Sequence, residues 1–408
     1  GWGSNPIGEQ EIIATGEQFT FVLRDWQSDK PIVNAEATAG ENSARADEEG
    51  RIILTVGEEN IANVTVVIDA ENYRQETITS ENLTSDEINV KLVPSRKHVF
   101  VSNRSGEYDI YKIDLDRKNE EVLLASTGNE REVPVILPHP TRNLVALVSS
   151  RDGEENRDGF ILDGLFIIDV DSGETKRIAR SEQLQLLGWS GDNLVFWQIV
   201  EGTSKANPER SKIISYNERT AERTDIAAAN YFNDIELVDA TIYYAVSSFA
   251  VPQSQAKLYS RDINSEGPAE LVVDQQVWSI YRTGYEQLIF NAEGQKWYEL
   301  LPSESIKEIS QQPAPQQIDF VNSPDNSVTA WVEVRDGKGV LLTSNTDDFS
   351  EEIAYTLPGL DEVLYWVNET SLVFRVITGV ETADYIIDFT NNEPQKISDV
   401  TATQNTFF

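Results

Sequence analysis

One pattern recurs seven times along most of this chain and dictates its architecture: an apolar strand end, a polar turn of about four residues, then a strongly β-prone strand. The clearest copies are Leu187-Gly-Trp189-Ser-Gly-Asp-Asn-Leu194-Val-Phe-Trp197, Phe320-Val-Asn-Ser-Pro-Asp-Asn-Ser-Val328-Thr-Ala-Trp331 and Tyr365-Trp-Val-Asn-Glu-Thr-Ser-Leu372-Val-Phe374. The others begin at Leu92, Leu137, Leu237 and Ile280. Marker residues Val99, Leu144, Leu194, Ile242, Leu288, Val328 and Leu372 are spaced roughly 40–50 residues apart, the length of a four-stranded propeller blade. A third strand follows each marker strand, as in Tyr108-Asp-Ile-Tyr-Lys-Ile113 and Leu165-Phe-Ile-Ile-Asp-Val170. A turn and a short polar outer strand such as Lys176-Arg-Ile-Ala179 come next. No long segment with a 3.6-residue period interrupts the series. The reading is all-β: a seven-bladed β-propeller over residues 88–408 behind a small β-sandwich over 11–87, with 1–10 as a flexible lead-in. Ring closure has two alternatives: Thr401–Phe408 adds a strand, or it trails free.

The stretch Val99-Phe-Val-Ser-Asn-Arg-Ser-Gly-Glu-Tyr-Asp-Ile-Tyr-Lys-Ile-Asp-Leu-Asp116 resembles the repeat of TolB-like (WD40-like) propellers, in which S-x-R-x-G-x-x-D-I-Y joins a blade's second and third strands. Ser323-Pro-Asp325 is similar to that family's S-P-D-G turn, with Asn326 in place of glycine. In the first part, Pro31 to Ala37, Asp47 to Leu54 and Ala70-Glu-Asn-Tyr73 resemble the marks of the carboxypeptidase-regulatory-like or transthyretin-like β-sandwich, again with Asn72 replacing a glycine. A PEGA-type module is the alternative. The first resemblance implies a propeller at the cell envelope; the second implies a spacer or adhesion unit.

Composition narrows the function classes. Lys and Arg total 33 against 69 Asp and Glu, a formal charge of −36. A surface this acidic repels phosphate backbones, so nucleic acid and anionic lipid are not expected partners. The chain has no cysteine, hence no disulfide and no thiolate nucleophile. It also has no methionine, so a processed or trimmed chain is expected, extracytoplasmic and tied to a membrane only through an N-terminal segment outside the sequence. No apolar run reaches the ~18 residues of a membrane span.

Catalytic motifs are absent. His98 and His139 are the two histidines, both read as lying at the turn before a blade's second strand, and no G-x-S-x-G elbow or phosphate-binding glycine loop occurs. A carboxylate-pair glycosidase remains open, because many acidic residues offer pairs and none is singled out. The expectation is therefore no cofactor, with calcium as the one candidate. Glu154, Asn156 and Asp158 occupy positions one, three and five of a D-x-D-x-D-G-like loop, Gly159 is at six, and Asp163 is a further oxygen donor. The bland reading of the same segment is a solvated acidic loop. The connections between second and third strands are long in blades 2, 3 and 4 and shorter in 5 and 6. Adjacent long loops on a rigid scaffold suit a binding surface for a protein or other surface ligand, with Arg151, Arg157, Lys205, Arg210 and Phe249 as its contacts. A purely structural spacer is the third reading.

Overall fold

A computed structural model describes residues 16–57, 62–301, 305–310 and 315–401, so the lead-in and most of the C-terminal eight residues lie outside the described residues. The chain divides into two compact units, Gly1–Arg96 and Lys97–Phe408.

The first unit has strands β1 (Glu17–Asp25), β2 (Glu36–Ala39), β3 (Asn42–Arg45), β4 (Arg51–Val56), β5 (Thr65–Asp69), β6 (Glu76–Thr79) and β7 (Ile88–Leu92). They form two sheets, β4-β1-β7 and β3-β2-β5-β6. Alternating residues such as Phe19, Phe21 and Leu23 from one sheet, and Val66 and Ile68 from the other, fill one shared core. Strand β7 pairs parallel with β1, Val22 opposite Asn89. The unit boundary therefore falls after Arg96 rather than after residue 87, because the sheet of the first unit takes Ile88–Leu92 as an edge. Asn72 sits at φ 67° and Asn326, in the second unit, at φ 58°. Both stand where the resembled motifs carry glycine, and asparagine is the side chain that best tolerates this left-handed region.

The second unit is seven antiparallel sheets in chain order. Blade 1 is β8 (Lys97–Ser102), β9 (Asp109–Asp114) and β10 (Glu121–Leu124). Blade 2 is β11 (Val135–Pro138), β12 (Leu144–Ser149), β13 (Asp163–Asp169) and β14 (Thr175–Ser181). Blade 3 is β15 (Leu184–Ser190), β16 (Asn193–Ile199), β17 (Ser211–Asn217) and β18 (Arg223–Ala229). Blade 4 is β19 (Phe232–Val238), β20 (Thr241–Val246), β21 (Leu258–Asp262) and β22 (Glu270–Val273). Blade 5 is β23 (Val277–Gly284), β24 (Gln287–Ala292), β25 (Lys296–Leu300) and β26 (Lys307–Ile309). Blade 6 is β27 (Val321–Asn322), β28 (Val328–Arg335), β29 (Lys338–Asn345) and β30 (Glu351–Leu357). Blade 7 is β31 (Leu360–Trp366), β32 (Ser371–Thr378), β33 (Glu381–Asp388) and β34 (Gln395–Asp399).

The markers of blades 2 to 7 lie on the second strand of their blade and Val99 lies on β8; most of these strands are largely buried and so read as apolar runs. Apolar cores sit between neighbouring blades: Val99 with Val145, Leu144 with Leu194, Val195 with Ile242, Ala245 with Leu288, and Ala330 with Leu372. The aromatic side chains of Tyr285 and Phe320 link blades 5 and 6. The four tryptophans Trp189, Trp197, Trp331 and Trp366 fall into two pairs. Trp189 and Trp366 end an inner strand and donate Nε1–H to a carbonyl on the preceding blade's inner edge, Leu137 (3.2 Å) and Val321 (2.7 Å). Trp197 and Trp331 lie on second strands.

Blade 1 departs from the repeat. The copy beginning at Leu92 would give it an inner strand, but Leu92 belongs to β7, and β8 is left as the inner edge among the described residues. The junction of blades 7 and 1 is held instead by a buried cluster. His98 Nε2 is 2.8 Å from Asp384 Oδ2, and its Nδ1 is 2.9 Å from the Tyr365 hydroxyl. Arg375 donates from Nε (2.8 Å) and Nη2 (3.0 Å) to the same carboxylate. His98 is thus inside a strand and fully buried, not at a rim turn.

Candidate functional site

Strands within a blade alternate in direction, so the connections from second to third strand and from outer strand to the next blade emerge on one face. The three long connections lie there, and each is built by its own hydrogen bonds.

In blade 2 the loop is a small hairpin: Glu155 bridges Ile161, the Asn156 amide donates to the Phe160 carbonyl (2.7 Å), and the Leu162 amide donates to Glu154 O (2.9 Å). Asn156 Oδ1 accepts the amides of Asp158 and Phe160, both at 2.9 Å. Gly159, at φ 82°, allows the tip to turn. In blade 3, Val200 N–H donates to Arg210 O (2.8 Å), closing the loop at its base. In blade 4, the amide of Phe249 donates to Ser247 Oγ (3.2 Å), and Ala256 is buried beneath the loop.

Two connector residues tie the loops together. Glu182, between β14 and β15, accepts from Asn156 Nδ2 (2.7 Å) in the blade 2 loop and from Arg210 Nη2 (2.8 Å) in the blade 3 loop. Asn230, between β18 and β19, donates from Nδ2 to the carbonyls of Lys205 and Asn207, both at 2.7 Å. Its neighbour Tyr231 accepts the Ser247 amide at the foot of the blade 4 loop (2.9 Å). Glu182 and Asn230 have no signal in the sequence beyond their place in two-residue connectors. The result is one continuous surface across blades 2 to 4.

The five residues expected as contacts divide by this geometry. Arg210 is committed to Glu182, and the Arg151 guanidinium reaches the Ala125 carbonyl (3.3 Å), so both brace the loops. Arg157 and Lys205 are exposed, and neither is paired among the described residues. Phe249 is 60% exposed. Phe160, at 62%, and Tyr231, at 42%, are equally open aromatic side chains that sequence reading missed. Tyr231 directly precedes the buried Phe232 and Phe160 lies two residues before the buried Leu162, and the alternation that would flag them is lost in a loop.

The four oxygen donors of the calcium reading have different settings. Glu154 is held by Arg180 (2.8 Å) and Arg177 (3.1 Å), whose hydrogen bonds keep its carboxyl below the ordinary range. Asn156 Oδ1 is spent on backbone amides and Asp158 is exposed at the tip. Asp163 opens β13, where burial and then Glu132 push its carboxyl up. Among the described residues no group of three or more histidine or acidic side chains is placed to hold a metal ion. The segment is an arginine-braced hairpin.

A second cluster joins the inner strands of blades 4 and 5 to the segment that leads into blade 6. Gln317 donates to Glu236 Oε2 (3.1 Å) and accepts the Arg282 amide at Oε1 (2.9 Å). Burial pushes Glu236 up to about 7; Arg282 opposes, and Asp319 and Asp234 reinforce the rise. Asp319 also acts on Glu362 of blade 7, whose carboxyl is raised by burial against the pull of Arg375. His139 is a turn residue: its Nδ1 accepts the amides of Thr141 (3.1 Å) and Arg142 (3.2 Å), and its ring lies on Trp189.

No protein-family model and no curated protein matches the chain. Solved structures similar to it include TolB from Acinetobacter baumannii, at 14% identity over 71% of this chain and 75% of that one, with a TM-score of 0.37. The β-propeller domain of the Trilobed protease from Pyrococcus furiosus is similar at 11% identity, covering 83% and 94%, with a TM-score of 0.41. An oligogalacturonate lyase from Vibrio parahaemolyticus is similar at 10% identity, covering 74% and 85%, with a TM-score of 0.41. These likenesses concern the propeller fold and assign no activity. No described helix is long and apolar enough to cross a membrane.

Proposed function

We propose that this is an extracytoplasmic, non-catalytic binding protein of the cell envelope that captures a protein or other surface ligand on the loop face of blades 2 to 4. The carrying observation is the tie made by Glu182 and Asn230, which preorganises three long loops into one surface while Phe160, Tyr231 and Phe249 stand open on it. A surface ordered before binding spends less entropy on association, and aromatic anchors supply most of the affinity in such interfaces. Arg157 and Lys205 add the cations. The test is capture from envelope extract by wild type and by the Phe160→Ala/Phe249→Ala double variant. The variant is expected to keep the wild-type melting temperature and lose at least ~10-fold in capture, since two exposed anchors contribute to binding and little to folding. Equal capture by both proteins overturns the reading.

Glu236 favours a second reading, a carboxylate hydrolase of the glycosidase kind working at this inner-strand cluster. A carboxyl raised to about 7 with ionisable acids nearby is suited to donate a proton near neutrality. Hydrolysis of a panel of oligosaccharides that disappears in Glu236→Gln would support it; no turnover by the wild type on that panel removes it.

A further inference from the structure

Between blades 4 and 5 the loop face holds a cavity of about 190 Å³ that the three tied loops do not use. Three segments line it: the end of the blade 4 loop within 253–257, the connector 274–276 that leads into blade 5, and Glu293 at the start of the β24–β25 connection. Gln276 lies deepest among the polar lining residues, 4% exposed. Its backbone carbonyl accepts the Glu293 amide (2.9 Å), which joins the connector to blade 5. Its side-chain Nε2 donates to Ser248 Oγ (3.1 Å), and that bond fixes the carboxamide. Oε1 is left with Gln253 Nε2 at 3.5 Å, the outer limit of a hydrogen bond. A carbonyl oxygen with two lone pairs is thus almost unspent at a buried position, where such acceptors are rarely left so.

The rim is charged. Lys257 pairs with Asp274 Oδ1, and the Asp274 side chain is 73% exposed. Among the described residues neither the second oxygen of Asp274 nor the carboxylate of Glu293 has a side-chain partner. One cation against two carboxylates leaves the cavity one negative charge, inside a chain of −36, so it repels anions and draws cations. Size narrows the cation. A volume of 190 Å³ equals about six waters at ~30 Å³ each, and an arginine side chain has six non-hydrogen atoms beyond Cβ where lysine has four. A guanidinium also presents a planar fork of N–H donors and gives up its hydration more readily than an ammonium, which suits a carboxylate at the rim and a carbonyl oxygen at the floor.

We propose that this cavity receives an arginine side chain of a protein partner, its guanidinium held between the Glu293 carboxylate and the Gln276 carboxamide oxygen; the partner itself rests on the binding reading above. Phe249 stands four residues before Gln253 in the same loop, so the bound segment carries an apolar side chain beside its arginine.

The cavity's chemistry is tested without a partner, on the full chain. Binding of N-acetyl-arginine methylamide is followed by saturation-transfer NMR beside its lysine and citrulline counterparts, citrulline keeping the shape and losing the charge. The arginine probe is expected to bind at least ~10-fold more tightly than either counterpart, and Glu293→Gln to cost at least ~10-fold of that affinity. Glu293 is exposed, so its variant keeps the fold. Glu209→Gln, which removes an exposed charge from the blade 3 loop, is expected to change the affinity by less than about 2-fold, because salt screens distant surface charges. No binding of the arginine probe, equal binding of the citrulline probe, or an equal loss in both variants overturns the proposal. Tighter binding of methyl glucoside than of the arginine probe overturns it in favour of a carbohydrate site. In the envelope capture assay Glu293→Gln is expected to lose ~10-fold as well. Loss of probe binding with capture unchanged overturns the partner's use of this cavity and leaves the loop-face reading standing, whereas the Phe160→Ala/Phe249→Ala variant, expected to bind the probe like wild type, tests that reading alone.

Discussion

Glu236 shows how far a single residue's setting can depart from its chemistry in water. Its carboxyl is raised from 4.5 to about 7 mainly by burial, so the folded protein holds a proton that the unfolded chain releases in that interval. Stability contributed by this group is present below pH 4.5 and is lost as the pH rises towards 7, because ionisation is then easier in the unfolded state. Glu236→Gln keeps an acceptor for Gln317 and abolishes the charge. The variant is expected to melt higher than wild type above pH 7 and to match it below pH 4.5. Thermal unfolding followed across pH checks this; a constant difference at every pH would contradict it. No sequence pattern singled out Glu236 among 69 acidic residues, since its burial depends on inner strands far apart in the chain. By contrast, Asn72 and Asn326 were legible as turn positions, because a motif position that carries glycine constrains φ locally.

Elements were legible where their burial is periodic and opaque where partners decide. The seven marker strands were recognisable from the recurring strand end, polar turn and β-prone run, since sandwiching between neighbouring blades removes most of the polar alternation. Strand β7 was misassigned because Ile88–Leu92 has the same β-prone character whichever sheet takes it, and its pairing with β1 is a tertiary choice. The acidic loop of blade 2 left two readings open, a calcium loop or a solvated acidic loop, and spacing could not reveal Arg177 and Arg180 on the adjacent strand β14, which hold Glu154. The length of the connections in blades 2 to 4 was visible in the sequence, but the bonds that tie them to one another were not. Glu182→Ala removes the acceptor shared by the blade 2 and blade 3 loops. It is expected to cost only ~1 kcal/mol of global stability, as partly exposed ion pairs do, while amide exchange at Phe160 and Leu162 quickens. Unchanged exchange in those amides would show that Glu182 does not brace the surface.

At the scale of the whole molecule, six of the seven blade junctions in the second unit are bridged by chain and share apolar or aromatic packing. The seventh, among the described residues, is held by the cluster of His98, Tyr365, Arg375 and Asp384, and by Arg104 and Arg117, which reach Asp399. Burial opposes the ionisation of Asp384, but hydrogen bonds from His98 and Arg375 outweigh it and hold its carboxyl below the ordinary 3.8. Its contribution is therefore complete above pH 3.8 and is lost as the pH falls through the lower folded value. His98→Ala strips one partner from this buried cluster and is expected to destabilise the second unit by ~3 kcal/mol, read by denaturant unfolding. A loss of a few tenths would show that the junction does not rely on it.

Among the described residues blades 7 and 1 are joined by side chains, and a ring so fastened behaves mechanically like a clasped band. Tension applied across its circumference concentrates at the clasp, so pulling apart the ends of the second unit is expected to release blade 1 from blade 7 first, and the remaining blades to peel away in order from that opening.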